Sequence, residues 1–112
     1  MHASVSELLA RLAAASTAGT DAEPYALTFS HGTMSLGFYA PVGHDPQQPH
    51  VRDEIYIIHS GTGELVVGDR RQPFAPGDAL FVAAGSVHRF ENFSAGFSTW
   101  VIFWGPPGGE SG

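Results

Sequence analysis

Three residues of the types that bind metal ions stand near the middle of the chain: His50, Glu54 and His88. Neutral imidazole nitrogens and an ionised carboxylate are the ligands that divalent transition metals take in proteins. A metal would also stabilise these polar groups inside a folded domain, where burial without a partner is costly. If folding brings the three side chains to one point, they form a metal site.

Spacing along the chain supports only part of this grouping. Side chains two residues apart on a strand face the same side of the sheet. An unbroken strand would therefore turn Gln48, His50 and Glu54 toward one face, with Tyr56 continuing it. His88 follows more than thirty residues later, so only tertiary structure can bring it to the other two.

Each candidate ligand also has an ordinary structural interpretation. His50 and His88 could be buried histidines bonded to a carboxylate, and Glu54 could pair with Arg52 or Arg89. The remaining histidines are interpreted as loop, strand-end or terminal residues: His2, His31, His44 and His59.

Composition predicts one compact domain rich in turns. The chain has 112 residues, too few for two independent cores. Hydrophobic residues make up 43% and charged residues 14%, as in globular proteins. Fourteen glycines and eight prolines favour a β-barrel or sandwich over a helical bundle.

Charge and residue usage exclude several classes of function. The net charge is −6, which disfavours nucleic acid as a partner and points to small molecules. The absence of cysteine excludes disulfides and thiolate metal sites. No apolar run approaches the roughly 20 residues of a membrane span. Glu7 and Arg11 interrupt the apolar N-terminal residues, so we expect no signal peptide and a cytoplasmic location.

A short helix is predicted at the N-terminus. An apolar stripe at helical spacing consists of Val5, Leu8, Leu9 and Leu12. Ser4 and Glu7 form a capping box before it, and Gly19 supplies a stop. We expect a helix over about residues 4–15, lying against the outside of a barrel or a partner subunit.

The rest of the chain has the pattern of short strands separated by turns. The expected strands cover residues 25–30, 34–40, 55–59, 64–67, 72–74, 79–82, 87–91 and 97–104. The stretch 41–49 is rich in proline and predicts a loop. Eight or nine short strands predict an all-β barrel or two-sheet jelly roll.

Two motifs in this region resemble those of the cupin superfamily. The second cupin motif, G-x5-P-x-G-x2-H-x3-N, is matched by Gly77, Gly85, His88 and Asn92, with Ala83 at the proline position. The first, G-x5-H-x-H-x(3,4)-E-x6-G, is matched at His50, Glu54 and Gly61. Gln48 stands where the first histidine is usual, and Val42, followed by Gly43, stands at the leading glycine.

The resemblance implies a single-domain cupin β-barrel (a double-stranded β-helix or jelly roll) with a short N-terminal helix. It implies metal contacts at His50, Glu54 and His88. Gln48 could coordinate loosely, bind through a water, or make a pocket hydrogen bond instead, and His44 is a candidate substitute from the loop. Iron, manganese, nickel and zinc all suit such a site, and the ligand set does not choose among them. Tyr39, Tyr56 and Phe90 are the aromatic residues expected to line the pocket.

Two functions remain open from the sequence. The first is a metal-dependent enzyme acting on a small organic molecule as a dioxygenase, isomerase or lyase. The second is a non-catalytic cupin that binds a small ligand, with the metal structural or absent. The absence of the first histidine favours the second. No serine lies in a nucleophile-elbow motif and no phosphate-binding glycine loop is present.

The expected organisation is a helical segment over residues 1–20, a barrel over 21–105 and a flexible tail over 106–112. The apolar helix stripe and the aromatic strand 97–104 predict a homodimer, because a short chain covers such surfaces by pairing. Small cupins commonly pair, which points the same way.

Self-association is tested by size-exclusion chromatography with light scattering. We expect a species of twice the 11.9 kDa chain mass, and a clean monomer across the concentration range would contradict the prediction.

Overall fold

The structure is a computed structural model that describes residues 1–17 and 24–111. One helix, α1 (Val5–Thr17), precedes eight strands. The strands are β1 (Tyr25–His31), β2 (Met34–Tyr39), β3 (Asp53–Ser60), β4 (Gly63–Val67), β5 (Arg70–Phe74), β6 (Ala79–Val82), β7 (His88–Glu91) and β8 (Ser98–Trp104). No helix in these two stretches is long and apolar enough to cross a membrane.

The strands form two antiparallel sheets. One has five strands in the order β1-β2-β8-β3-β6, and the other has three in the order β5-β4-β7. Sheet neighbours far apart in sequence, such as β2 and β8, bring the ends of the domain together. The all-β jelly roll expected from the sequence is confirmed.

The main core lies between the two sheets. Its buried side chains come from both of them: Tyr39, Tyr56, Ile58, Leu65, Phe74, Val82, Phe90, Phe97 and Val101. Phe90 is central, with ring centroids 4.8 Å from those of both Tyr56 and Phe97. The pairs meet edge to face, the arrangement that aromatic quadrupoles prefer. The sequence's aromatic excess is therefore largely core.

The N-terminal helix packs on the outer face of the five-stranded sheet. Leu8 is buried against Ala26 and Phe38, with Trp100 beside them. The helix thus covers part of β8, which already has β2 and β3 as neighbours. β8 has no free edge for pairing with a second subunit, and the homodimer remains a prediction. The predicted helix stop at Gly19 and the boundary at residue 20 lie outside the described residues.

One expectation about local structure is wrong. Gln48, His50 and Glu54 do not share one strand face, because β3 begins only at Asp53. The preceding residues 40–52 form an irregular loop. Pro46 and Pro49 lie in it, and proline has no N–H for a strand ladder. Within β3 the alternation holds, since Glu54, Tyr56 and Ile58 are all buried.

The C-terminal residues lie against the segment that follows His50. Gly108 N donates to the Val51 carbonyl at 2.7 Å, and Glu110 N donates to Asp53 Oδ2 at 2.9 Å. The sequence predicts a flexible tail because a glycine-rich segment has few side chains to pack. Its backbone N–H groups nevertheless make these bonds without side chains.

Gly61 in the β3–β4 turn is required by both conformation and space. Its φ is +85°, and an added Cβ would lie 2.7 Å from Phe97 Cα and 2.9 Å from Ser94 Oγ. Gly96 has a similar φ of +81° with nothing within 4 Å. Alanine at Gly96 would therefore suffer backbone strain alone, whereas alanine at Gly61 would suffer both strain and steric overlap.

We expect Gly96→Ala to lower the free energy of unfolding by about 1–2 kcal/mol through strain alone. Gly61→Ala should cost about 1–3 kcal/mol more, because the methyl group meets backbone atoms that cannot move aside cheaply. Urea unfolding followed by tryptophan fluorescence measures both. Equal losses in the two variants would contradict this account of Gly61.

Candidate metal centre

His88 is held with one ring nitrogen facing the barrel interior. It is the first residue of β7 and is buried. Its Nδ1 lies 2.8 Å from the Ser86 carbonyl oxygen, which can only accept, so Nδ1 donates. In the neutral ring the lone pair is then on Nε2, the nitrogen that faces Glu54 and Tyr56. This tautomer is the one a metal ligand needs.

Glu54 is a fully buried carboxylate on β3. Its Oε1 lies 2.8 Å from His88 Nε2, but out of line with a ring N–H. Neither carboxylate oxygen has a hydrogen-bond partner among the described residues. An ionised group buried in this way is costly unless a cation compensates it. A metal ion would therefore give the two carboxylate oxygens of Glu54 the partner that they lack.

His50 comes to the site from loop 40–52, not from a strand. Its carbonyl accepts a 2.7 Å bond from Gly85 N, which ties the loop to the turn before His88. Its ring packs edge-on against Phe103, with centroids 4.9 Å apart. The His50 and His88 ring centroids are 5.6 Å apart. The turn at Gly85 thus positions both imidazoles.

The structure brings the three predicted ligand residues together. One ligand atom from each of His50, Glu54 and His88 lies within 4.8 Å of the other two. Ligands of one zinc ion are about 3–3.5 Å apart at normal bond lengths. Shifts of about 1 Å in the side chains would complete the set. These residues fit a divalent metal.

The neighbouring charges change two pKa values. Burial lowers the pKa of His88, but the Glu54 carboxylate and the Ser86 carbonyl outweigh it, so this pKa lies above its usual value. Burial and the charge of Glu54 raise the pKa of Tyr56 well above that of free tyrosine. Tyr56 is therefore a neutral phenol, able to donate a hydrogen bond but not to act as a base.

Gln48 is not part of this group. Its side chain is exposed, as is that of His44. Its neighbour Gln47 enters the site instead: Tyr56 OH donates to Gln47 Oε1 at 2.9 Å, and that oxygen lies 3.4 Å from His50 Nε2. Sequence reasoning missed Gln47 because it counted strand parity through a segment that is not a strand.

Asp45 was also missed, and it fixes the loop over the site. Its carboxylate accepts hydrogen bonds from Tyr39 OH, from Gln47 N at 3.1 Å and from Phe90 N at 2.7 Å. Asp45 therefore links the loop to β2 and β7. The Asp45-Pro46 pair, a turn-forming dipeptide, was the sequence signal that could have indicated it.

The three ligand residues adjoin a small cavity of about 180 Å³. We call it the central cavity; its lining is Tyr25, Tyr39, Gln47, His50, Glu54, Tyr56, Val101 and Phe103. Tyr39 and Tyr56 were expected here. Phe90 was expected too, but the lining does not include it, since its ring lies in the core behind Tyr56. A larger groove of about 770 Å³ between β5 and β6 contains none of the three ligand residues.

Comparison with known proteins identifies the family. A model of the family described as "Cupin domain" matches residues 36–103. An uncharacterised protein of Streptomyces coelicolor is 38% identical over 76 residues, which cover 66% of this chain and 71% of that protein.

Solved structures share the fold. A cupin 2 conserved barrel domain protein from Salinispora arenicola is 26% identical, with a TM-score of 0.57 over 72% of this chain and 74% of the other. A Ralstonia eutropha protein provisionally assigned as a mannose-6-phosphate isomerase is 19% identical, with a TM-score of 0.59 over 79% of this chain and 89% of the other.

Metal affinity should depend on pH through His88. A metal ligand must lose its proton, and the pKa of His88 is raised, so affinity should weaken as pH falls through that pKa. In the metal-free protein the stability of the fold has the opposite pH dependence. The raised pKa of His88 stabilises the folded state below about pH 6.5, and this stabilisation is lost as pH rises through the folded-state pKa.

Calorimetric titration with Zn²⁺ in two buffers of different ionisation enthalpy measures the protons released. We expect about one proton at pH 6.5 and fewer at pH 8.5. A release that does not change with pH would contradict the role given to His88.

Proposed function

This chain belongs to the cupin superfamily, and on that premise we propose that its central cavity binds a divalent transition metal through His50, Glu54 and His88 and acts on a small organic molecule held there. One observation carries the proposal. A carboxylate with no hydrogen-bond partner is buried beside two imidazole rings at the wall of a cavity. An ionised carboxylate in that position is costly unless a cation compensates it, and a divalent metal held by the two imidazoles would do so.

The ligand set leaves room for an organic molecule. Three protein ligands are typical of sites that keep positions open for substrate. When bound, a divalent metal would supply Lewis-acid polarisation of a substrate oxygen or, for a redox metal, one-electron chemistry. The reaction would then be an oxygenation, isomerisation or elimination.

Protein groups around the cavity would orient the bound molecule. Tyr56 keeps its proton, which it gives to Gln47 Oε1; a substrate oxygen that gains negative charge would compete with Gln47 for it. Gln47 contacts both Tyr56 and His50, so its amide holds the phenol and one ligand ring in place. Tyr39 and Phe103 close the sides and exclude water.

A non-catalytic binding protein is the second candidate. The exposed side chain of Gln48 favours it, because the position of the usual first histidine makes no contact with the site. The two functions differ on metal removal. Ligand affinity should persist in a chelator-treated binding protein and should be lost with the metal in an enzyme.

Substitution of one ligand tests the site directly. His88→Ala should weaken Zn²⁺ or Co²⁺ binding at least about a hundredfold, because losing a group that only hydrogen-bonds a ligand costs 10–100-fold and this change removes a ligand itself. The matched control is His59→Ala, an exposed histidine on the same strand as Glu54, which should bind metal like the wild type. Isothermal titration calorimetry and far-UV circular dichroism give affinity and folding.

Two results would overturn the proposal. One is His88→Ala binding metal as tightly as His59→Ala while remaining folded. The other is wild-type protein that holds less than about a tenth of an equivalent of any transition metal after loading.

A further inference from the structure

The arginine side chains of this protein all lie away from the central cavity. The chain has five positive residues and no lysine: Arg11, Arg52, Arg70, Arg71 and Arg89. All five are described, and none lines the cavity. Residues 18–23 and 112, outside the described stretches, contain no arginine or lysine. The chain therefore has no arginine or lysine with which to hold an anionic ligand there.

These arginines are engaged elsewhere or exposed. Arg11 donates to the Leu27 carbonyl and Arg52 to the Thr33 carbonyl. Arg71 and Arg89 both pair with Glu91 on the three-stranded sheet. Arg70 is exposed beside the larger groove. The α-amino group does not replace them, since Met1 is 86% exposed.

The charges near the site are negative. Glu54 lies in the cavity wall, and Asp45 lies behind it, bonded to Tyr39 and Gln47. Two carboxylates balance the two charges of a divalent ion. A phosphate dianion added beside them would leave two uncompensated negative charges in a partly buried site, where such charges are costly.

The remaining polar groups of the cavity are uncharged. The Tyr56 hydroxyl donates to Gln47, and the Tyr39 hydroxyl is directed to Asp45. Val101 and Phe103 supply apolar surface. The volume of about 180 Å³ is about that of six water molecules in the liquid, below the 300–1,000 Å³ of drug-sized pockets.

From these observations we propose that the ligand is an uncharged molecule the size of one small ring, and that phosphorylated ligands are excluded. This inference rests on the proposed metal site. This cavity would therefore differ from one that binds a sugar phosphate, because a phosphate site needs a cationic side chain.

The test compares two chelators of similar size and different charge on zinc-loaded protein. Catechol is uncharged in solution and loses at least one proton when it chelates zinc, so it brings less negative charge to the site than phosphonoformate, a multiply charged anion. By calorimetry under nitrogen at pH 7.5, catechol should bind at least about tenfold more tightly. Equal or tighter binding of phosphonoformate would overturn the inference, and so would failure of both to bind. Protein that cannot be loaded with zinc would instead overturn the proposed function, and the inference with it.

A pair of neighbouring variants tests the physical cause. Gln47→Arg places a guanidinium in the cavity wall next to Asp45 and should raise phosphonoformate affinity at least about fivefold. Gln48→Arg adds the same charge at an exposed position and should change it less than about twofold. Equal effects of the two variants would show that the cavity's own charge does not select the ligand. If Gln47→Arg fails to fold, the wild-type comparison decides.

Discussion

The buried carboxylate of Glu54 is the constraint on which the rest of the site depends. β3 places it in the barrel interior, and neither of its oxygens has a hydrogen-bond partner among the described residues. The groups around it are arranged for a cation. His88 gives its Nδ1 proton to a backbone carbonyl and turns Nε2 toward the carboxylate. His50 approaches the carboxylate from loop 40–52. Without a metal ion the buried carboxylate would be a cost to folding that a protonated His88 alone could offset.

Two aspartates hold the loop that carries His50. Asp45 bonds to β2 and β7 through Tyr39 and Phe90. Asp53 accepts bonds from Ala84 N, in the turn before His88, and from Glu110 N, and these bonds lower its pKa. The loop forms no backbone ladder with a neighbouring strand. Hydrogen bonds to side-chain carboxylates hold it in place instead.

The distribution of charge follows from the same site. Negative groups lie at the candidate metal site, whereas Arg71 and Arg89 pair with Glu91, and Arg11 and Arg52 with backbone carbonyls, away from it. This separation matches a cavity that receives a metal cation first and then a molecule without net charge. The two candidate functions, enzyme and binding protein, differ in whether this molecule needs the metal in order to bind and in what happens to it once bound.

The sequence by itself determined the fold class and the three candidate ligands. Strand periodicity and turn residues are local properties, and they were enough to predict the fold class. The three ligands were named through the resemblance of two motifs to those of the cupin superfamily. Only the tertiary structure decided which glutamine enters the cavity, that Phe90 lies in the core, and that Asp45 anchors the loop. Residues 40–52 have no repeating geometry, so the direction of each side chain depends on partners distant in sequence. The alternation of side chains along a strand therefore could not predict which residues of this loop face the cavity.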